Sequence, residues 1–311
     1  MRIVYMGTPD FAVPALEALA KSGHDVVAVV TQPDKARDRG KKVQFTPVKA
    51  KALEYDIPVL QPEKVKHNEE FYRTLAELKP DLIVVAAYGK ILPVSVLELP
   101  KYGCVNIHAS LLPKYRGAAP IHRAIINGDP VTGVTLMYMA EGMDTGDMIV
   151  KAETKIGTKT VEEMHEELAE LGASLLMDTL PQLLDGTAPR QAQEESLATY
   201  APMVFKQDGV LDFAKSAEQL CCLVRGMNSW PGASTTYRGQ VVKVWEAQPL
   251  PQETGKAPGT VLSVDKTGLK VACGEGVINI TKLQFPGKRA MAVSDYIKGN
   301  TVDTGVILGG N

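Results

Sequence analysis

Cysteine is scarce in this 311-residue chain. Its four copies, Cys104, Cys221, Cys222 and Cys273, include no C-x-x-C pair with histidine nearby. That pattern argues against a zinc site and fits a reducing compartment, so no metal is expected. Long apolar runs are missing too: none approaches the roughly 18 residues that a membrane-spanning helix needs. Met1-Arg2-Ile3-Val4-Tyr5 enters a strand-like run at once, so neither a signal peptide nor an Arg/Ser-rich transit segment is expected, and a cytoplasmic protein is. An excess of one charge sign is lacking as well. A formal net charge of −2 excludes a uniformly basic nucleic-acid binder while allowing local basic patches. The first turn, Gly7-Thr8-Pro9-Asp10, is not G-x-G-x-x-G, so the phosphate-cradling turn of a dinucleotide site is absent.

What is present is ordinary globular material, 45% hydrophobic and 23% charged, long enough for two domains of roughly 100–200 residues each. Short apolar runs alternate with amphipathic segments through the first hundred residues. Ile3–Met6, Val26–Val30 and Leu82–Ala87 read as buried strands. Helical spacing runs from about Phe11 to Ser22, Thr46-Pro47 caps a helix reaching about Tyr55, and Glu69–Lys79 is stopped before Pro80. This βαβα order predicts a parallel sheet covered by helices, with ligands outside the carboxyl ends of its strands. Three loops fall there: Gly7–Asp10, Tyr88–Pro93 and the stretch that begins at Asn106.

That last stretch, Gly103 to Gly117, is the richest in chemistry. In a strand Asn106 and His108 project to the same face, placing an amide donor beside a proton-moving imidazole. The pair suits chemistry at a carbonyl. An isolated N-x-H is more often a turn asparagine and a structural histidine, so other residues must supply the partners. Glu141-Gly142-Met143-Asp144-Thr145-Gly146-Asp147 offers two carboxylates in a Gly-containing loop. Asp-Thr-Gly recurs at Asp303-Thr304-Gly305, but an aspartic protease needs two facing carboxylates from β-rich halves, and the first copy here closes a βαβ-type domain. Gln32–Pro47 reads as a polar loop whose Lys35, Arg37, Arg39, Lys41 and Lys42 face only Asp34 and Asp38, a local +3. It is either a solvated face or a basic arm that contacts phosphates.

Val161–Leu184 is an amphipathic helix, and Arg190 to Lys206 lacks periodicity and reads as a linker. From Gln207 the pattern changes to one helix, Ser216–Arg225, and short strands near 240–246, 259–264, 268–273 and 277–283, as in a small barrel. Twelve Lys/Arg stand against nine Asp/Glu from Lys206 onward, a net +3 in a chain that is negative overall. The asymmetry fits a barrel that touches a polyanion.

Asn106-x-His108, Ser110-Leu111-Leu112-Pro113, Arg116-Gly117 and Asp144 together resemble the folate-dependent formyltransferases. Met6-Gly7-Thr8-Pro9-Asp10-Phe11, Gln32-Pro33-Asp34, Arg39-Gly40-Lys41-Lys42, Ala87-Tyr88-Gly89 and Val242-Lys243-Val244-Trp245 resemble the branch of that family that acts on tRNA. The resemblance covers essentially the whole chain. It implies a Rossmann-like parallel-sheet domain at 1–189, a linker at 190–206 and an OB-like tRNA-binding domain at 207–311. It implies 10-formyltetrahydrofolate as donor and the amino group of methionyl initiator tRNA as acceptor; a monomer is expected. By the same carry-over Asn106, His108 and Asp144 are catalytic. Tyr88, Gly89, Lys90, Ile91, Leu92, Ser110, Leu111, Leu112, Pro113, Glu141, Gly142 and Met143 would hold the folate, and Arg39, Lys41 and Lys42 the tRNA. Enzymes that formylate an amino-sugar nucleotide share the trio and can carry a barrel; the basic segment around Arg39 favours tRNA. A non-catalytic RNA- or folate-binding relative would have lost one of the three.

Overall fold

The computed structural model describes residues 1–37 and 42–309. In chain order the elements are β1 (Arg2–Gly7), α1 (Val13–Lys21), β2 (Asp25–Val30), β3 (Lys35–Arg37), β4 (Lys42–Gln44), α2 (Pro47–Glu54), β5 (Val59–Leu60), α3 (Glu69–Leu78), β6 (Leu82–Ala86), α4 (Val94–Leu97), β7 (Cys104–His108) and β8 (Arg116–Gly117). There follow α5 (Pro120–Ile126), β9 (Val131–Tyr138), β10 (Met148–Lys155), α6 (Val161–Asp185) and β11 (Tyr200–Ala201). Last come α7 (Ala217–Met227), β12 (Ala233–Tyr237), β13 (Gln240–Leu250), β14 (Val261–Asp265), β15 (Gly268–Ala272), β16 (Val277–Gln284), β17 (Met291–Ala292) and α8 (Val293–Tyr296). The chain divides into two compact units. One comprises Met1–Pro120, Thr132–Thr154 and His165–Ala201; the other comprises Ile121–Val131, Lys155–Met164 and Pro202–Asn311.

The first unit is built on a seven-stranded sheet in the order β10-β9-β7-β6-β1-β2-β5. From β5 to β7 all neighbours are parallel, and β9 runs antiparallel to β7. The chain moves outward from β1 to β2 and β5, then crosses back to β6 on the other side of β1. This reversal opens the crevice at the carboxyl ends of β1 and β6 where ligands of such sheets bind. Every residue of β6 is buried, which explains its unbroken apolar run. Local signals end the helices where the sequence places them. The Thr46 side chain accepts from Lys49 N at 3.1 Å to open α2, and Lys79, left-handed at φ 48°, closes α3 ahead of Pro80.

Two segments of the first unit that bear on the crevice differ from the sequence reading. The stretch read as a polar loop, Gln32–Pro47, contains an antiparallel pair, β3 with β4, in register Lys35↔Gln44 to Arg37↔Lys42. Strands of three residues are too short to show a period of two. Residues 190–201, read as linker, belong to the first unit, and β11 pairs in parallel with β8, Tyr200 opposite Arg116 and Ala201 opposite Gly117.

The second unit carries an antiparallel sheet in the order β12-β13-β16-β15-β14, with β17 on β16. Val242, Val244, Val271, Ile278, Ile280 and Leu283 bury its inner face. Among the described residues the rungs run from β12 to β14 without joining those two end strands. Ser216 and Gln219 form a reciprocal capping box at the start of α7.

Gly172 of α6 brings that helix close to the strand bearing Asn106 and His108: a Cβ here would lie 2.6 Å from Ile107 Cγ2. Gly172→Ala gains helix propensity of up to about 1 kcal/mol but overpacks the core at a cost of about 1–3 kcal/mol. Urea denaturation is expected to show a net loss; an unchanged or raised midpoint would mean that the contact yields freely.

Candidate active site

Strand β7 presents Asn106 and His108 on one face at the edge of the crevice. Asn106 is half-buried, in register with Val85 of β6 and Met137 of β9. Its side-chain amide makes no hydrogen bond among the described residues, and so is available to a ligand. His108 is buried, and its Nε2 lies 3.0 Å from the Tyr115 carbonyl oxygen. A carbonyl can only accept, so this contact holds a proton on Nε2 and leaves Nδ1 as the nitrogen that can exchange one. Nδ1 faces Asp144 Oδ2 at 3.7 Å. That separation is an ion pair when the ring is doubly protonated, and it is long enough for a ligand atom or water to bridge.

Asp144 arrives from the loop between β9 and β10 rather than from a strand. Its backbone is left-handed, φ 54°, a conformation unfavourable for a side chain with a Cβ. Oδ2 accepts from Gly117 N at 2.8 Å, which fixes the carboxylate against the segment following β7. A side chain at Gly146 would collide with the Tyr138 carbonyl, so the loop can fold this closely only with glycine there. Ala87 and Tyr115, on neighbouring loops, are left-handed as well, at φ 46° and 62°. Such backbone strain clusters where a fold holds a functional geometry.

The residues read as folate-binding fall into three groups. Ser110, Leu111, Leu112 and Pro113 form the turn directly after His108. Thr135 Oγ1 donates to the Ser110 carbonyl at 2.6 Å and accepts from Leu112 N at 3.1 Å, while Lys151 Nζ donates to the Leu112 carbonyl at 2.5 Å. Glu141, Gly142 and Met143 are exposed on the loop leading to Asp144. The Tyr88–Leu92 loop is divided. Gly89 and Ile91 are exposed, whereas the Tyr88 ring and Leu92 lie in the core among Met6, Val30 and Val85. The Tyr88 hydroxyl has no hydrogen-bond partner among the described residues, and burial pushes its pKa up to about 12. What Tyr88 offers the crevice is backbone: its carbonyl accepts from Thr8 Oγ1 and Gln32 Nε2, each at 3.1 Å, tying together the loops after β1, β2 and β6. Lys90 Nζ donates to the carbonyls of Pro62 and Glu63 at 2.6 and 2.7 Å. Of the residues read as tRNA-binding, Arg39 and Lys41 lie outside the described residues, as does the side chain of Lys42. Among the described residues no group of three or more His, Cys, Asp or Glu could hold a metal.

Sequence reasoning missed Gln193 and the work of Arg116. Arg116 is 1% exposed, the largest fully buried side chain among the described residues, and it pairs with both carboxylate oxygens of Glu195 at 3.0 and 2.9 Å. Its Nε donates to Gln193 Oε1 at 3.0 Å, and Gln193 Nε2 donates to the carbonyls of Asp144 and Gly146. Nothing in a stretch without periodicity flags such a residue; long-range pairing, of β11 with β8 and of Gln191 with Met148, brings it to the site.

A Rossmann-like sheet with an amide, an imidazole and a carboxylate gathered at its crevice, followed by an antiparallel domain, defines a class of group-transfer enzyme, and the sequence shows which one. It matches the formyl transferase family over residues 1–180 and the formyl transferase C-terminal domain over residues 203–301, so the chain belongs to that family. Its relatives include the methionyl-tRNA formyltransferases of Acetivibrio thermocellus, 54% identical over 99% of this chain and 100% of that one, and of Bacillus subtilis, 48% identical over 100% and 98%. Among solved structures, the N-formyltransferase of Helicobacter canadensis, in complex with folinic acid and dTDP-3-aminofucose, shares the fold at TM-score 0.68 and 19% identity, covering 89% of this chain and 98% of that one. HypX of Aquifex aeolicus in complex with tetrahydrofolic acid shares it at TM-score 0.61 and 20% identity, over 96% and 47%.

Thr135 is fully buried, and its hydroxyl links the Ser110 carbonyl to the Leu112 amide. Thr135→Val keeps the shape but leaves two buried backbone groups unpaired, at a cost of about 1–3 kcal/mol. Thermal melts and titration with a reduced folate are expected to show lowered stability and weakened binding together. A stable variant with unchanged folate affinity would detach this turn from the donor site.

Proposed function

We propose that this protein transfers the formyl group of 10-formyltetrahydrofolate to the amino group of methionyl initiator tRNA. The observation that carries the proposal is the His108–Asp144 pair beside the uncommitted Asn106 amide, in a chain that matches methionyl-tRNA formyltransferases from end to end. Attack of an amine on a formyl carbon drives negative charge onto the formyl oxygen. Asn106 Nδ2 donates to that oxygen, and a doubly protonated His108 donates from Nδ1. Asp144 balances the charge of that ring; as the new C–N bond forms and the bond from the formyl carbon to the folate nitrogen breaks, the amine gives up one proton and the departing nitrogen takes one, so the His108–Asp144 pair ends with the protons it began with. No nucleophilic side chain and no metal enters this scheme; positioning and charge stabilisation are its means.

The folate lies against the 110–113 turn, the exposed part of the Tyr88–Leu92 loop and residues Glu141 to Met143. The segment carrying Arg39, Lys41 and Lys42 takes the acceptor end of the tRNA, and the domain from residue 207 grips phosphates, so binding weakens as salt rises. A monomer in the cytoplasm completes the reading; no helix among the described residues is long and apolar enough to cross a membrane. Formylation of an amino-sugar nucleotide is the second reading, favoured by the fold shared with the Helicobacter canadensis enzyme. At 19% identity that likeness concerns the fold, whereas the methionyl-tRNA formyltransferases match at 48–54%.

With charged initiator methionyl-tRNA and 10-formyltetrahydrofolate, the wild-type chain is expected to form formylmethionyl-tRNA, and uncharged tRNA to yield nothing. His108→Ala is expected to lower kcat about 100-fold or more, the scale of losing one donor to a developing oxyanion. Wild-type turnover by His108→Ala would remove the imidazole from the scheme. Arg39→Ala is expected to raise KM or lower kcat for charged tRNA and to leave folate affinity intact; an equal loss of folate binding would contradict its assignment.

A further inference from the structure

Asp144 is the only member of the trio that does not sit on the sheet, and its Oδ2 stands 3.7 Å from His108 Nδ1. Its own loop contributes little toward this: Glu141, Gly142, Met143 and Thr145 are exposed, and the Asp144 backbone is left-handed. The constraint comes from the extended segment following α6. Arg190 places its guanidinium 3.6 Å over the Tyr138 ring at the end of β9. Gln191 forms an antiparallel bridge with Met148 at the start of β10, by N···O bonds of 2.8 and 2.9 Å. Between these two strand ends lies the Asp144 loop, and Gln193 reaches into it.

The bonding of Gln193 is complete and has one sense only. Its Nε2 has two hydrogens, and they go to the carbonyls of Asp144 at 2.7 Å and Gly146 at 2.8 Å. Its Oε1 accepts from Arg116 Nε at 3.0 Å. Turning the amide over would set an oxygen against two carbonyls and an NH2 against a guanidinium, so the donor set dictates the orientation. Arg116 is held in turn by both oxygens of Glu195. The residue after Arg116 is Gly117, whose N–H binds the Asp144 carboxylate. Residues 116 and 117 therefore grip Asp144 twice: Gly117 holds its carboxylate directly, and Arg116 holds its backbone through Gln193.

We infer that Gln193, oriented by Arg116, is a positioning residue that sets the Asp144 carboxylate against His108 Nδ1. The inference rests on the reading above that Asp144 takes part in formyl transfer. It gives residues 190–195 a role in the catalytic unit that a connection between domains would not have. Among the described residues the Gln193 side chain bonds only to Asp144, Gly146 and Arg116. Its effect passes through Asp144, and so should appear in turnover more than in binding.

The test uses the full chain, with Gln193→Glu and Gln193→Met. Glutamate keeps the length but sets a carboxylate oxygen against two carbonyls; methionine removes both donors without adding charge. Each is expected to lower kcat about 10- to 100-fold, the scale of a small misplacement of a reacting group. KM for donor and charged tRNA should stay within about twofold, marking loss of an interaction made in the transition state. Glu194→Gln, an exposed neighbour, should keep wild-type turnover. The decisive comparison repeats Gln193→Met in an Asp144→Asn background, where little further loss is expected because the two act as one unit. A merely structural role would cost the same factor in both backgrounds, and that would overturn the inference. A second readout needs no turnover. In ring-15N-labelled protein the His108 signals should move in Gln193→Met, while those of His24, His67, His122 and His165 stay. Unmoved His108 signals, or wild-type kcat in both variants, would also overturn it. A wild-type chain that formylates no tRNA would instead strike at the function, leaving the histidine signals to report on the geometry.

Discussion

The site depends on keeping a strand imidazole and a loop carboxylate within reach of each other at the open end of a sheet. His108 is fixed by β7, which is bonded in register to β6 on one side and β9 on the other, and its ring is turned by the Tyr115 carbonyl. Asp144 has no such frame. It is held in a left-handed conformation by bonds that come from residues far away in the chain: Gly117, 27 residues before it, and Gln193, 49 residues after. The sheet supplies direction and the returning segment supplies placement. Removing either leaves two titratable side chains that can drift apart.

The same division of labour runs along the crevice. Reversal of strand order at β1 and β6 brings the loops after β1, β2 and β6 side by side, and the Tyr88 carbonyl links them through Thr8 and Gln32. The Tyr88 ring goes into the core, so the loop is anchored by a buried aromatic and meets the crevice with backbone. Leu112, buried with Met137 and Met148, does the same for the turn after His108. Ala87, Tyr115 and Asp144 are each left-handed, at a cost of order 1–3 kcal/mol apiece, and for Asp144 the bonds from Gly117 and Gln193 hold it there. The scaffold is rigid where it must present polar groups at fixed points.

Much of this was legible beforehand, because the signals were local. Thr46 and Pro47 open α2, Lys79 and Pro80 end α3, and the apolar run at 82–86 is a fully buried strand. Asn106 and His108 share a face because a strand repeats every two residues. The missed features are of two kinds, short hairpin strands with no pattern to read and contacts made by long-range pairing. β3 and β4 are too short for a period, and β12, Ala-Ser-Thr-Thr-Tyr, has little apolar alternation. The burial of Arg116 is the clearest case. A charged side chain in a loop motif reads as solvent-facing, and only Glu195 and Gln193, arriving from nearly 80 residues later, make its burial tolerable. The burial of the Tyr88 ring was likewise invisible, since the motif alone suggests a ring that faces a ligand.

The most direct test of the account is acceptor choice. The wild-type chain, given 10-formyltetrahydrofolate, would be offered charged initiator methionyl-tRNA and an amino-sugar nucleotide in parallel, with kcat/KM measured for each at one stated salt concentration. A preference for the charged tRNA of about 100-fold or more is expected, since contacts along the tRNA backbone and its acceptor end reach far beyond the single diphosphate of the small acceptor. Equal or greater efficiency on the amino-sugar nucleotide would contradict it.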